Sequence, residues 1–376
     1  MKQIKQYFGI NKEKVAEYLF WTAFMLEALV MMFSHSAFEL PYAGRILHVA
    51  FVMFGFKILL TRYTRQEWII ILVLGIVGVL SYFSMGEEWF IRIVMLIIAS
   101  KNISIHKAVK YLFYIAASGA IIIIILSLLG YGGQTVDIRD YGRGSVEARW
   151  CLGFSHANNL HGTLWYVVSL GILTYINKLK WYHGVLLTIL NYYLYTLTIS
   201  RTGFLVTEIV ILAALLYVYY PRISGWKWIY AAGGIGTAFC AFIGIFVVAF
   251  GIFSLPGLKG LSDMLTVRLE VLSWWESIEQ WSLFGDGRER KLTDVGFITL
   301  VSEYGYVIFT IYLLCLFVMI YYYCRNKKWM EFIVLMTCVL YTFMESTYVF
   351  NVYLLGNFTF VLLLGTWNRL LKKQTG

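Results

Sequence analysis

Residues 111–130 read YLFYIAASGAIIIIILSLLG, a run of 20 residues without a charged side chain. A helix of about 20 mainly apolar residues is what crosses the roughly 30 Å hydrocarbon core of a bilayer. Working outward, similar runs occupy 16–35, 43–61, 67–84, 89–101, 162–177, 182–200, 203–220, 228–254, 296–323, 330–347 and 349–366. The run 89–101 is short, and 203–220 follows its predecessor across a very tight turn. Composition agrees with this pattern. Hydrophobic residues make up 60% of the 376 and charged ones only 14%, against roughly 45–50% and about 25% in soluble proteins. The reading is an all-α polytopic membrane protein with about twelve transmembrane helices, a single transmembrane domain over 1–376.

The net charge of +10 is then a matter of topology, not a sign of nucleic acid. With the N-terminus in the cytoplasm, alternation of the runs puts nineteen of the 31 basic residues in short inner segments. These include Lys12 and Lys14, Arg62 and Arg65, Lys178 and Lys180, and Arg325, Lys327 and Lys328. Gly86-Glu87-Glu88 falls outside. This is the positive-inside pattern and predicts both termini in the cytoplasm. The first apolar run is long and lacks a small-residue cleavage site, so it reads as a retained span. Five cysteines, most of them within apolar runs, make no disulfide framework.

Two outer segments, 131–161 and 255–295, are too long to be simple connectors, and long ordered loops usually carry function. The second predicts an amphipathic helix before the tenth span. Ser262 and Asp263 suit its N-cap, and Leu265, Leu269, Leu272 and Trp275 repeat at helical spacing. Leu283-Phe284-Gly285-Asp286-Gly287 predicts the sharp turn that ends it.

The outer side is rich in arginine at span ends: Arg139, Arg143, Arg149, Arg201 and Arg268. A guanidinium keeps its charge and grips phosphate oxygens in pairs. Pairing with Asp137, Asp140 and Glu147 is the plainer reading for the arginines of the first loop. Arg201 sits in Thr198-Ile199-Ser200-Arg201-Thr202-Gly203, which joins two apolar runs with almost no loop; a charge at a helix C-terminus is its plainer role, though lysine would serve equally well there. Gly153-Phe154-Ser155-His156-Ala157-Asn158-Asn159-Leu160-His161 offers hydrogen-bonding side chains before the sixth span, with His156 and Asn158 the candidates for a phosphate or sugar hydroxyl. Asp294 stands at the mouth of the tenth span as a candidate general base, and Glu303 is placed to orient an arginine. Glu17, Glu27, Glu208 and Glu345 are ionisable residues within runs, with Arg45, Lys57 and Arg92 as the expected partners. No Walker loop and no metal-ligand spacing is present, so neither ATP nor a metal cofactor is expected.

In order, these motifs resemble the O-antigen ligase and polymerase superfamily, and most of all the Wzy-type repeat-unit polymerases. Four places carry the resemblance: Ser200-Arg201-Thr202-Gly203; Arg268 followed by Trp274, Trp275 and Leu283-Phe284-Gly285-Asp286-Gly287; Asp294-Val295-Gly296-Phe297 followed by Glu303-Tyr304-Gly305; and Gly153-Phe154-Ser155-His156-Ala157-Asn158. They span about residues 149–305. The resemblance implies a GT-C-like fold in the bacterial plasma membrane. It implies metal-independent transfer of a growing glycan from undecaprenyl pyrophosphate to the terminal sugar of an incoming lipid-linked repeat unit. By carry-over, Arg201, Arg268 and Asp294 are catalytic, while Arg143, Arg149, His156, Asn158, Trp275 and Glu303 bind substrate. A flippase and a chain-length regulator of the same pathway are the implied partners. Where the ligases have a His-Asn pair this chain has Asp294-Val295, which argues against ligation to a lipid core. A ligase-like transfer to another acceptor, or a lipid-linked oligosaccharide flippase, stays open as an alternative.

Overall fold

Capping chemistry sets the helix limits. Thr64 and Glu67 form a reciprocal capping box at the start of one helix, and Gly86, with φ +77°, ends it in a left-handed turn. Ser104 accepts the backbone N–H of Lys107 at the start of another. The computed structural model describes residues 12–38, 40–140, 146–249, 281–285, 295–345 and 363. Among them, eleven α-helices follow in order: α1 (Lys12–Ser34), α2 (Ala43–Leu60), α3 (Arg65–Met85), α4 (Trp89–Ala99), α5 (Ile105–Leu128), α6 (Ala157–Tyr175), α7 (Trp181–Thr198), α8 (Arg201–Tyr219), α9 (Lys227–Ala249), α10 (Gly296–Asn326) and α11 (Trp329–Met344). Eleven of the twelve apolar runs are therefore helical over most of their described residues. The twelfth, 349–366, and the amphipathic helix expected within 255–295 lie outside the described residues, apart from Leu363 in the former and 281–285 and Val295 in the latter.

Among the described residues, six helices (α1, α2, α3, α5, α8 and α10) are long and apolar enough to cross a membrane by length and composition. The exceptions have physical reasons. Helix α4 has 11 residues, about 16 Å of rise, half a bilayer core. Helices α6 and α7 are interrupted by Asn158, Asn159, His161, His183 and Asn191. Two of those polar side chains, His161 and Asn191, are buried, as are Thr198, Ser302 and Thr337, while Asn158, Asn159 and His183 are half-buried. Conversely Leu59, Leu72, Phe83, Leu186 and Ile189 are exposed. Apolar residues outside and polar ones inside is the distribution of a chain surrounded by lipid, since large apolar patches on a water-facing surface are unfavourable.

The helices pack in a continuous core. Phe20 of α1 meets Phe54 of α2 with ring centroids 5.6 Å apart. Central helix α6 is fixed by Trp165, whose indole N–H donates to Thr337 on α11 at 3.2 Å and whose ring lies 4.7 Å from Tyr341.

The 131–161 segment is more ordered than a loop. Strands β1 (Val136–Asp140) and β2 (Val146–Trp150) form an antiparallel hairpin, with Asp137 opposite Arg149 and Arg139 opposite Glu147. This departs from an all-helical expectation. Opposite charges across the ladder favour that register. After β2 the chain is tied to the end of α1: Phe154 bridges Ser36, and the backbone N–H groups of Ala37 and Ser155 donate to Gly153 and His35 at 2.9 and 3.0 Å.

Candidate functional site

The motif-bearing ends of α6, α7, α8 and α11 share one end of the bundle. Helix α7 finishes at Ile199, held at φ +53°, and α8 begins two residues later with Ser200 as its N-cap. Arg201 is thus the first residue of α8 and is exposed. Among the described residues it makes no ion pair. The first turn of a helix is the positive end of its dipole, the wrong sign for a cation and the right one for a bound anion.

A buried polar chain underlies this hairpin. Thr188 and Asn191 of α7 donate to the two oxygens of Glu208 on α8 at 2.8 and 3.0 Å. Asn191 Nδ2 also donates to the Phe204 carbonyl at 3.1 Å, which leaves Oδ1 to face His161 Nε2 at 2.9 Å. His161 Nε2 is therefore the N–H donor of that pair. Its Nδ1 lies 2.9 Å from Thr198 Oγ1, and that oxygen also accepts the Ser200 N–H at 3.4 Å. The chain of contacts runs from Glu208 to the residue before Arg201 and locks three helices together. Gly203 permits it: a Cβ there would stand 2.7 Å from the imidazole of His161.

Other sequence candidates have structural partners. Arg149 is buried, and its Nε and Nη2 donate to Glu147 at 2.9 and 2.6 Å; β2, which carries it, packs on α7. His156 is the N-cap of α6, its Nδ1 accepting from Asn158 N at 3.0 Å. Asn158 Nδ2 reaches Glu345 at the end of α11, 3.3 Å away. The expected partners of the glutamates within runs are largely replaced. Glu208 and Glu345 take amides, Glu17 takes Trp21 and more distantly Lys107, and Lys57 donates to the Lys101 carbonyl at 2.6 Å. Arg92 pairs with Glu88 at 2.6 Å, and its charge also bears on the buried Glu27 of α1, one of the expected pairings.

A second cluster joins two motifs far apart in sequence. The backbone N–H groups of Tyr306 and Val307 donate to Ser282 and Leu283 at 3.2 and 3.0 Å. The Leu283-Phe284-Gly285 turn therefore lies flat on Glu303-Tyr304-Gly305, where α10 is kinked at Gly305 (φ +85°). Ser84 of α3 donates to the Gly285 carbonyl. Glu303 is half-buried beside this contact. Arg143, Arg268, Trp275 and Asp294 lie outside the described residues. Sequence reasoning missed Asn191, although Thr188, Asn191 and Thr198 share one face of α7 at helical spacing and polar residues in apolar helices face inward. Among the described residues no group of His, Cys, Asp and Glu side chains is arranged to hold a metal ion.

Fold and site together describe a mostly helical protein with apolar helices suited to a membrane and a polar, arginine-bearing mouth at one end of the bundle. The chain matches no protein-family model, no curated protein and no solved structure.

Proposed function

We propose that the protein is a glycan polymerase of the bacterial plasma membrane, with twelve spans, a GT-C-like fold and its motif-bearing end at the outer leaflet. It transfers a growing glycan from undecaprenyl pyrophosphate to the terminal hydroxyl of an incoming lipid-linked repeat unit. The observation that carries this reading is Arg201: exposed, without an ion pair among the described residues, at a helix N-terminus, and backed by the Glu208–Asn191–His161–Thr198 chain. Pyrophosphate is already a good leaving group, so the protein has mainly to stabilise charge that builds on it. A positioned donor does this best, and losing one in comparable sites costs roughly 3–4 kcal/mol. Arg268 is assigned the same task and Asp294 that of base toward the acceptor hydroxyl. Glu303 is assigned to orienting an arginine, with Arg143, Arg149, His156, Asn158 and Trp275 lining the substrate path. No metal enters the scheme.

Elongation of a lipid-linked repeat by purified protein tests it. A ladder of products that persists in EDTA supports the polymerase. A single transfer step would point to a ligase, and lipid translocation without new glycosidic bonds to a flippase.

A further inference from the structure

At the opposite end of the bundle, one helix length from Arg201, the turn after α10 faces the turn before α9. Between them lies a cavity of about 580 Å³ lined by Gly225, Lys227, Tyr321, Cys324, Arg325 and Lys327. Three of the six lining residues are cations and none is a carboxylate. Cations gathered around one hollow repel each other unless an anion sits between them. Lys327, at φ +52°, closes α10 in a left-handed turn, and Arg325 lies over the Tyr321 ring at 5.6 Å.

The surface beside the cavity says what kind of anion fits. Leu314, Phe317, Val318 and Tyr321 are all exposed and repeat at helical spacing, so they form an apolar stripe along α10 that runs up to the cavity. Trp226 and Trp228 flank Lys227, both exposed, their rings stacked with centroids 6.0 Å apart. Exposed tryptophans of this kind settle at the headgroup level of a bilayer. A basic hollow with exposed tryptophans on either side of Lys227, continued by an apolar stripe, is complementary to a phosphate headgroup joined to acyl chains.

We propose that Lys227, Arg325 and Lys327 form a binding site for the phosphate of an anionic phospholipid, whose acyl chains lie along Leu314–Tyr321 of α10. The site is separate from the Arg201 mouth and does not depend on its chemistry.

Native mass spectrometry of the full-length wild-type protein, offered equal amounts of phosphatidylglycerol and phosphatidylcholine, reads it directly. Phosphatidylglycerol is retained several-fold over phosphatidylcholine. Lys227→Gln, Arg325→Gln and Lys327→Asn each lower that retention about fivefold, the contribution of one basic residue at a membrane surface. Asn tolerates the left-handed turn at 327. Lys178→Gln with Lys180→Gln, in a different basic turn, leaves the preference in place. Equal retention of the two lipids by wild-type protein overturns the proposal, whatever the variants do. Equal loss from the 178/180 pair overturns the location. Displacement of the lipid by millimolar inorganic phosphate overturns the lipid as ligand in favour of a soluble phosphate compound.

Discussion

Gly285 and Gly305 meet backbone to backbone, so closely that a Cβ on Gly305 would stand 2.5 Å from the Gly285 nitrogen. Both are in the left-handed region, at φ +80° and +85°, where a side chain is strained even in open space. The two glycines are how a turn at 283–285 can dock on a kinked helix. Gly305→Ala is expected to lower stability by at least about 1–3 kcal/mol, more than Gly75→Ala on α3, where a Cβ meets nothing within 4 Å. Thermal unfolding of the two variants in detergent compares them. Equal melting temperatures would show that the contact does not constrain the fold.

Arg201 separates charge from geometry. Lysine keeps the charge but loses the planar fork; glutamine loses the charge. Arg201→Gln should slow elongation about a hundredfold or more, and Arg201→Lys by less, with melting temperature unchanged in both. Because a cation is the wrong sign for the first turn of α8, the glutamine variant should be no less stable than wild type. Undiminished elongation in Arg201→Gln would remove this residue from the mechanism.

Much of this architecture can be read from residue order alone, and the failures have reasons. The 111–130 run corresponds to Ile105–Leu128, because a bilayer-length apolar segment has few alternatives to a helix. The run at 89–101 is helical but only from Trp89 to Ala99; hydropathy does not report how far a helix reaches. The β1–β2 hairpin was hidden because Val-Asp-Ile-Arg-Asp and Val-Glu-Ala-Arg-Trp carry charges, and a strand is settled by what it pairs with. His156 caps α6 although histidine is not among the usual capping residues. The partnership of His161 with Asn191 joins helices 30 residues apart, a relationship that no spacing within one helix reveals.

The His161–Gly203 contact offers a test by compensation. Gly203→Ala places a methyl against the imidazole and should be destabilising. His161→Ala removes the obstacle but strips Asn191 and Thr198 of a buried partner, at about 1–3 kcal/mol. The double variant should be less destabilised than the sum of the two, with a coupling of roughly 0.5–3 kcal/mol. Strict additivity of the melting shifts would mean that α6 and α8 do not meet at these residues.

Glu88, in the Gly86-Glu87-Glu88 turn, makes a prediction in pH. Burial alone would raise its carboxyl, but hydrogen bonds from Arg92 Nε and Nη2 at 2.9 and 2.6 Å, with His48 nearby, bring it below the ordinary value of 4.5. The folded state therefore holds its proton less tightly than the unfolded chain. The stabilisation is complete above about pH 4.5 and is lost as pH falls through the folded-state value. Glu88→Gln, which cannot ionise, should be less stable than wild type at neutral pH because Arg92 is buried and loses its counter-charge. The gap should narrow as pH falls from 7 to about 3.5. Melting temperatures of the two proteins across that range measure it, and a gap of constant width would show that Glu88 does not stay ionised against Arg92.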